Sequence, residues 1–373
     1  LVPISAVDCV QPALQHTREQ LFRPFRLGQW SRLALVGILA AEMRAGGCNS
    51  NFGRFMHGPK TSPHNLPWHL PLDLPSLNSH ISEHFAQIVG LIVVAVFALM
   101  LLAFVFLYIN SVFRFILFDS VLRRHCSIGE GWRRWHRAGA RFFLWQIVFQ
   151  IFASLFLMFL IGVPVALALA AGWGTDLREH VGRLIIGVVL LVGVFLLFLL
   201  TAIVVQVLAR DFLVPIMALE DLDFADGWHR LLGMIRLETG KYVVYLLLKL
   251  VLAIAAAILF GILALVPALF VVVPSVAAVL AARAAGLGWS VTTISLAILL
   301  GTLLLLLLVY LVALVCVPAT VFFPAFSIYF FASRYPRLDA LLNPAPPAPV
   351  SPPLPESPPP FEAPPLPPSP EPI

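Results

Sequence analysis

The sequence predicts an all-α, polytopic integral membrane protein: six transmembrane helices set as three helical hairpins, each preceded by an amphipathic interfacial elbow. Three observations lead there. Of the 373 residues 60% are hydrophobic and 12% charged, whereas soluble domains run near about 45–50% apolar and about 25% charged. The apolar residues gather in runs of roughly 18 or more, the length that asks for lipid as solvent. The arginines sit in short segments between those runs, where positive-inside placement accounts for them, so the net charge of +5 does not signal nucleic acid.

Residues 1–29 form a cytoplasmic amphipathic segment. Val7, Val10, Leu14, Thr17 and Leu21 recur at steps of three and four, one face of a helix expected on the membrane surface. Asp8, Arg18, Glu19, Arg23 and Arg26 interrupt any continuous apolar core, unlike a signal peptide. Pro24 turns the chain. The membrane domain, 30–333, opens with a first span from about Trp30 to Met43, short of the usual length of roughly 17–25 residues. An extracytoplasmic loop, 44–85, is rich in Gly, Pro and His.

The second span runs from about Ala86 to Ile109, the third Phe142–Ala170, the fourth Leu184–Leu208 and the fifth Tyr242–Val266, the apolar run continuing past Pro267 and Pro274 with a kink or break expected there. The sixth covers about Val291–Val317, and Pro318 and Pro324 interrupt the apolar segment beyond it. The segments on the side of the N-terminus, with Arg32 at the mouth of the first span, hold 16 Lys and Arg against 6 on the other. Both termini are therefore expected in the cytoplasm, in a bacterial inner membrane. Residues 334–373 form a Pro-rich disordered tail, 16 of the last 30 residues being proline. Such a tail is a polyproline spacer, or a ligand for a protein partner with an aromatic groove.

Two cytoplasmic loops repeat one another. Ile128-Gly129-Glu130-Gly131-Trp132-Arg133-Arg134 matches Phe224-Ala225-Asp226-Gly227-Trp228-His229-Arg230 at a register of 96 residues, which also pairs Asn110 with Gln206 and Arg114 with Arg210. A looser copy, Phe25 to Arg32, precedes the first span. Ser127-x-x-Glu130 is a capping-box pattern, and Asp223 with Asp226 places negative charge at the equivalent helix start. Trp228, Leu231, Leu232 and Ile235 make one apolar stripe. Trp30, Trp132 and Trp228, with Arg141 and Lys241 ahead of the following spans, are candidate interfacial anchors facing the bilayer. Ala253, Ala257 and Gly261 form a small-residue seam for close helix packing.

On these features, the Phe22-Arg23-Pro24-Phe25 turn and the Gly-Trp-x-Arg elbows, the chain resembles bacterial six-span membrane proteins. These include the membrane domain fused in some bacteria to glycerophosphodiester phosphodiesterase, and related uncharacterised families. The resemblance implies the six-helix fold over about residues 5–340. It supplies no activity here, because no loop could hold a barrel of about 250 residues.

Residues able to carry chemistry are few. His80-Ile81-Ser82-Glu83-His84 spells H-x-x-E-H, and His57, His64 and His69 lie in the same loop. No third-ligand helix follows, so the match is read as chance, with His80 and His84 as weak metal candidates. Cys9, Cys48, Cys126 and Cys316 show no paired spacing. No Gly-rich phosphate loop or nucleophile elbow is present, no cofactor is expected, and Asp119 and Asp211 are expected to balance neighbouring arginines.

Polar groups near the spans are costlier and more telling. Asn110, Arg114, Gln146, Gln150, Gln206, Arg210 and Lys249 sit at comparable depth near the cytoplasmic ends. They either line a polar vestibule open to the cytoplasm or, for Lys249 and the arginines, snorkel to the interface, and snorkelling is the expectation for Lys249. The function expected on these grounds is that of a non-enzymatic membrane component, a scaffold or envelope-associated protein. A transporter or flippase-like protein using the vestibule, and an external metal-binding loop, are the alternatives.

Overall fold

A computed structural model describes residues 5–23, 25–40, 74–170, 177–286 and 290–342, with only the backbone path for 74–86 and most of 177–184. The described chain is helical and carries no strand. Its helices are α1 (Val10–Phe22), α2 (Leu27–Leu39), α3 (Leu74–Leu122), α4 (Ile128–Ala170), α5 (Leu177–Leu208), α6 (Val214–Glu220), α7 (Phe224–Leu237), α8 (Thr239–Ala284), α9 (Val291–Ala332) and α10 (Pro336–Leu342). A π-helical turn, Ala209–Leu213, joins α5 to α6.

Five helices, α3, α4, α5, α8 and α9, contain stretches long and apolar enough to cross a membrane. None of the most apolar 18 residues of α3, α4 and α5 is buried by the rest of the chain, and 6% and 17% of those of α8 and α9 are. Side chains such as Phe97, Leu197, Ile258 and Leu306 stand exposed there. The bare stretch of α5, 185–203, is about 28 Å long at 1.5 Å per residue, close to a hydrocarbon core of about 30 Å. Apolar surface of that length is stable only in lipid. The protein is therefore a multi-pass membrane protein.

The packing lies at one end. The last turns of α3, the start of α4, the π turn with α6 and α7, the start of α8 and the C-terminal half of α9 build a dense aromatic base. Phe115, Phe142, Phe212, Tyr245, Phe326 and Phe330 are fully buried in it. Tyr245 stacks on Phe326 and Phe330 at 5.1 and 4.5 Å between ring centroids.

α1 and α2 belong to this base. α2 lies against α3 near the base, with the Leu39 carbonyl accepting from Asn110 Nδ2 at 3.1 Å. Residues 41–43 of the expected first span lie outside the described residues, as does Cys48. α1 buries only part of its expected apolar stripe. It docks on α9 and α3 with Ala13, His16, Thr17, Gln20 and Leu21 buried, while Val7 and Leu14 are exposed. The reason is a capping demand. The last carbonyls of α3 have no partner within their own helix, and α1 supplies donors: Gln20 Nε2 to Ser120 O at 3.0 Å and His16 Nε2 to Val121 O at 2.9 Å. Gln29 and Arg32 of α2 do the same for Arg124 O and Cys126 O.

The prolines do not break the helices. Pro164, Pro267, Pro274, Pro318 and Pro324 all lie inside continuous α4, α8 and α9. In lipid a broken turn would strand several backbone groups at several kcal/mol each, so the helix is kept. Ser275 Oγ donates to the carbonyls of Val271 and Val272, and Thr320 and Ser327 donate to Val317 O and Pro324 O.

The two elbows differ. The first turn passes through Arg124 at φ 58° and then runs unbroken through α4, so it has no separate interfacial helix. The second turns at Asp221, φ 52°, forms α7, and breaks at Glu238 before α8. Their shared glycines have one cause. A Cβ on Gly131 would stand 3.1 Å from Ile116 Cγ1, and one on Gly227 would stand 2.7 Å from Leu213 Cδ1. Each elbow helix crosses the helix before it at that glycine.

Candidate functional site

The repeat holds one irregularity, and the most polar buried site sits on it. Phe115 meets Phe142 edge-on at 6.0 Å, and Phe212 meets Tyr242 edge-on at 5.3 Å, so these pairs are equivalent. Arg114 and Arg210 are 96 residues apart, but Phe115 and Phe212 are 97 apart. The extra residue is Asp211, and the step from the turn at Asp221 to Phe224 is one residue shorter than that from Arg124 to Ile128, which restores the 96-residue register at the elbows. A π turn absorbs one inserted residue, and it turns the Asp211 carboxylate into the base.

Asp211 is buried there against α8. Lys249 Nζ lies 2.7 Å from Asp211 Oδ1 and 2.5 Å from Oδ2, and the Tyr245 hydroxyl donates to Oδ2 at 2.8 Å. The side chains of Lys249 and Asp211 are 12% and 9% exposed, so the pair is desolvated. Lys249 does not snorkel, and Asp211 is held by this lysine and Tyr245 rather than by a neighbouring arginine. Asp119 does pair with arginines, Arg123 at 2.7 Å and Arg134 at 3.7 Å.

A cavity of about 30 Å³ adjoins the pair, lined by Arg114, Arg210, Asp211, Lys249, Phe323 and Ser327 among others. Three of the seven residues expected in a vestibule, Arg114, Arg210 and Lys249, are thus brought together. The rest disperse. Gln146 is buried and accepts from Ser111 Oγ at 2.7 Å, tying α3 to α4. Asn110 is bound to α2. Gln206 keeps a buried Oε1 with no partner among the described residues. Gln150, one turn beyond Gln146, is exposed on the outside of α4: a turn further along, that face has left the base.

The tryptophans expected at the interface pack inward. Trp30 meets Phe22 edge-on and Phe25 at a tilt, and donates to Leu21 O at 3.0 Å. Trp132 packs on Tyr108 and Phe113, and Trp228 on Trp145. Arg141 clamps the second elbow, donating to Asp221 O at 2.8 Å and pairing with the Asp221 and Asp223 carboxylates. Lys241 pairs with Glu238 at 3.0 Å, and Glu238 also receives Arg334 Nε at 2.8 Å. At the first elbow, Ser127 Oγ bonds the Glu130 carboxylate at 3.2 Å rather than closing a capping box, whereas Ser290 with Thr293 closes one ahead of α9. In the stripe of α7, Leu231 is buried, Trp228 and Ile235 half-buried, and Leu232 exposed.

The expected small-residue seam is open at Gly261, where a Cβ would touch nothing within 4 Å. The close approach lies instead at Gly139 against Val112. Cys9, Cys126 and Cys316 are buried free thiols. Burial pushes Cys9 up to about 11 and raises Cys126, so neither is a ready nucleophile. His80 and His84 fall in the first turns of α3, and their side chains lie outside the described residues. No cluster of three metal-ligating side chains occurs among the described residues.

An all-helical multi-pass membrane protein, with a packed polar base below bare apolar helices, is the class that this fold and site define. Within that class the chain belongs to a family of unknown function, DUF7544, whose model matches residues 4–341. That match carries no link to the glycerophosphodiester phosphodiesterase membrane domain, and no curated protein and no solved structure matches the chain.

Proposed function

We propose that the protein is a non-enzymatic scaffold of the bacterial inner membrane, with its base and both termini on the cytoplasmic side. One observation carries this reading. Three of the polar side chains nearest the membrane are spent on joining helices: Lys249 to Asp211, Gln146 to Ser111, Asn110 to the end of α2. A carrier needs polar groups held ready for a solute along a path through the bilayer. Here the cavity beside them has room for about one water, and the apolar stretches above bury almost nothing in one another. Those bare helices offer lateral surface to neighbouring membrane proteins. The excess of Lys and Arg beside the base supports the orientation, and the Pro-rich tail is a spacer or a ligand for a partner's aromatic groove.

The test combines the double variant Asp211→Leu/Lys249→Met with a strain lacking the gene. A scaffold keeps its folded yield and complements every phenotype of the deletion, and photo-crosslinkers at Leu197 and Ile258 give the same protein adducts as in the parent. A double variant that folds to parental yield yet fails to complement would make the polar pair a working site and overturn the reading.

A further inference from the structure

We propose that the cavity between α3, the π turn, α8 and α9 binds the phosphate of an anionic membrane lipid, with Arg210 and Arg114 as its ligands. The lining carries three cations, Arg114, Arg210 and Lys249, against one carboxylate among the described residues, Asp211. Asp211 is already engaged by Lys249 and Tyr245. Arg114 already donates Nε to Ala40 O at 3.4 Å and lies over the Phe142 ring, so Arg210 is the leading ligand and Arg114 adds its charge to the same lining. Arg210 Nε is buried with no partner among the described residues, a donor left standing in a desolvated place, and such donors are costly unless something accepts from them.

The depth fits a headgroup. Ile203 and Leu250, above the site, are 52% and 57% exposed and mark the edge of the bare apolar band. Leu250 adjoins the cavity-lining Lys249 and Arg210 lies seven residues past Ile203, about 10 Å at 1.5 Å per residue, so the cavity extends from the edge of the band outward through the headgroup layer, roughly 5–7 Å per side. The two arginines are equivalent positions of the repeat, so the fold brings one from each copy to the same cavity.

Size chooses between sources of phosphate. A volume of about 30 Å³ admits a phosphate oxygen, not a whole hydrated anion. The remaining affinity comes from acyl chains laid on the exposed side chains above, which free phosphate lacks. Guanidinium is suited to the task because its planar fork meets two phosphate oxygens at once.

The experiment uses the full chain purified in detergent and exposed in turn to phosphatidylglycerol, phosphatidylcholine and inorganic phosphate. Retained lipid is read by native mass spectrometry and protection by thermal melting. Phosphatidylglycerol is expected to be retained about tenfold better than phosphatidylcholine, and Arg210→Gln to lose about tenfold of that retention. Arg210→Lys, which keeps the charge without the fork, falls between them. Arg133→Gln, on the exposed face of the first elbow, leaves retention unchanged. Equal retention of both lipids, undiminished retention in Arg210→Gln, or equal loss in Arg133→Gln overturns the site. Protection by inorganic phosphate that matches phosphatidylglycerol and vanishes in Arg210→Gln overturns the lipid assignment. Should Arg210→Gln melt early without lipid, the lysine variant decides: full retention overturns the proposal and partial retention supports it.

Discussion

Lys249→Met removes one partner of an ion pair whose side chains are 12% and 9% exposed. At 2.5 Å and an effective dielectric of about 20 the gross attraction is about 7 kcal/mol, most of it offset by desolvation of the two ions. The substitution leaves an uncompensated carboxylate. Breaking a buried pair typically costs about 3–5 kcal/mol. The lower end applies here, because Tyr245 still donates to Asp211 and two arginines line the adjoining cavity. A loss of about 3 kcal/mol is roughly 150-fold in the folding equilibrium. Asp211→Leu costs more, about 4 kcal/mol, since it strands an ammonium and a tyrosine hydroxyl together. The double variant should return to within about 1 kcal/mol of the parent, leaving only the Tyr245 hydroxyl to satisfy. Equilibrium unfolding in mixed micelles of the four proteins yields the coupling directly. A snorkelling lysine predicts the opposite, a Lys249→Met protein as stable as the parent, and that result would refute the pair.

The packing sets three further outcomes. Gly139→Ala puts a Cβ 2.6 Å from Val112 Cγ2 and 2.8 Å from its Cα, so α3 and α4 must part at a cost of about 2 kcal/mol. Gly261→Ala meets open space and should be neutral or gain up to about 1 kcal/mol from helix propensity, and thermal melting of the two separates them. Trp132→Ala and Trp228→Ala each remove a half-buried ring from an aromatic cluster and should lower stability by about 2–3 kcal/mol, with matching falls in folded yield; unchanged melting would remove the packing role. Burial holds the His16 imidazole neutral, its pKa below the ordinary value of 6.5, with Nε2–H donating to Val121 O and Nδ1 accepting from Tyr329. The unfolded chain takes up the proton first, so this contribution is full above about 6.5 and is lost as pH falls from there through the lowered folded value. His16→Gln should flatten that part of the stability–pH profile, and an unaltered profile would count against it.

How much of the site was legible depends on which signal carried it. The 96-residue register paired Arg114 with Arg210, and both line one cavity. The same register held the clue to Asp211: Phe115 and Phe212 stand 97 residues apart, and the inserted residue is the buried acid. Without the aromatic pairs in three dimensions, nothing marked those phenylalanines as equivalent. Gln150 was legible only as a neighbour of Gln146 on the same helix face. Whether that face is covered one turn further on depends on where the base ends.

Membrane residence, the helical class, the bare spans and the repeated elbows came from the sequence alone, because lipid imposes its demand on every residue of a span and so writes a long, redundant signal. Tertiary structure decided the rest: α2 as part of the base, α1 turned to cap α3, the unbroken proline-bearing helices, the tryptophans facing inward, and Lys249 held by Asp211. Each of these turns on a partner distant in the chain. A polar side chain beside a membrane has two inexpensive fates, reaching to water or finding a buried counterpart. Composition and spacing describe the side chain in both cases, and only the fold supplies the counterpart.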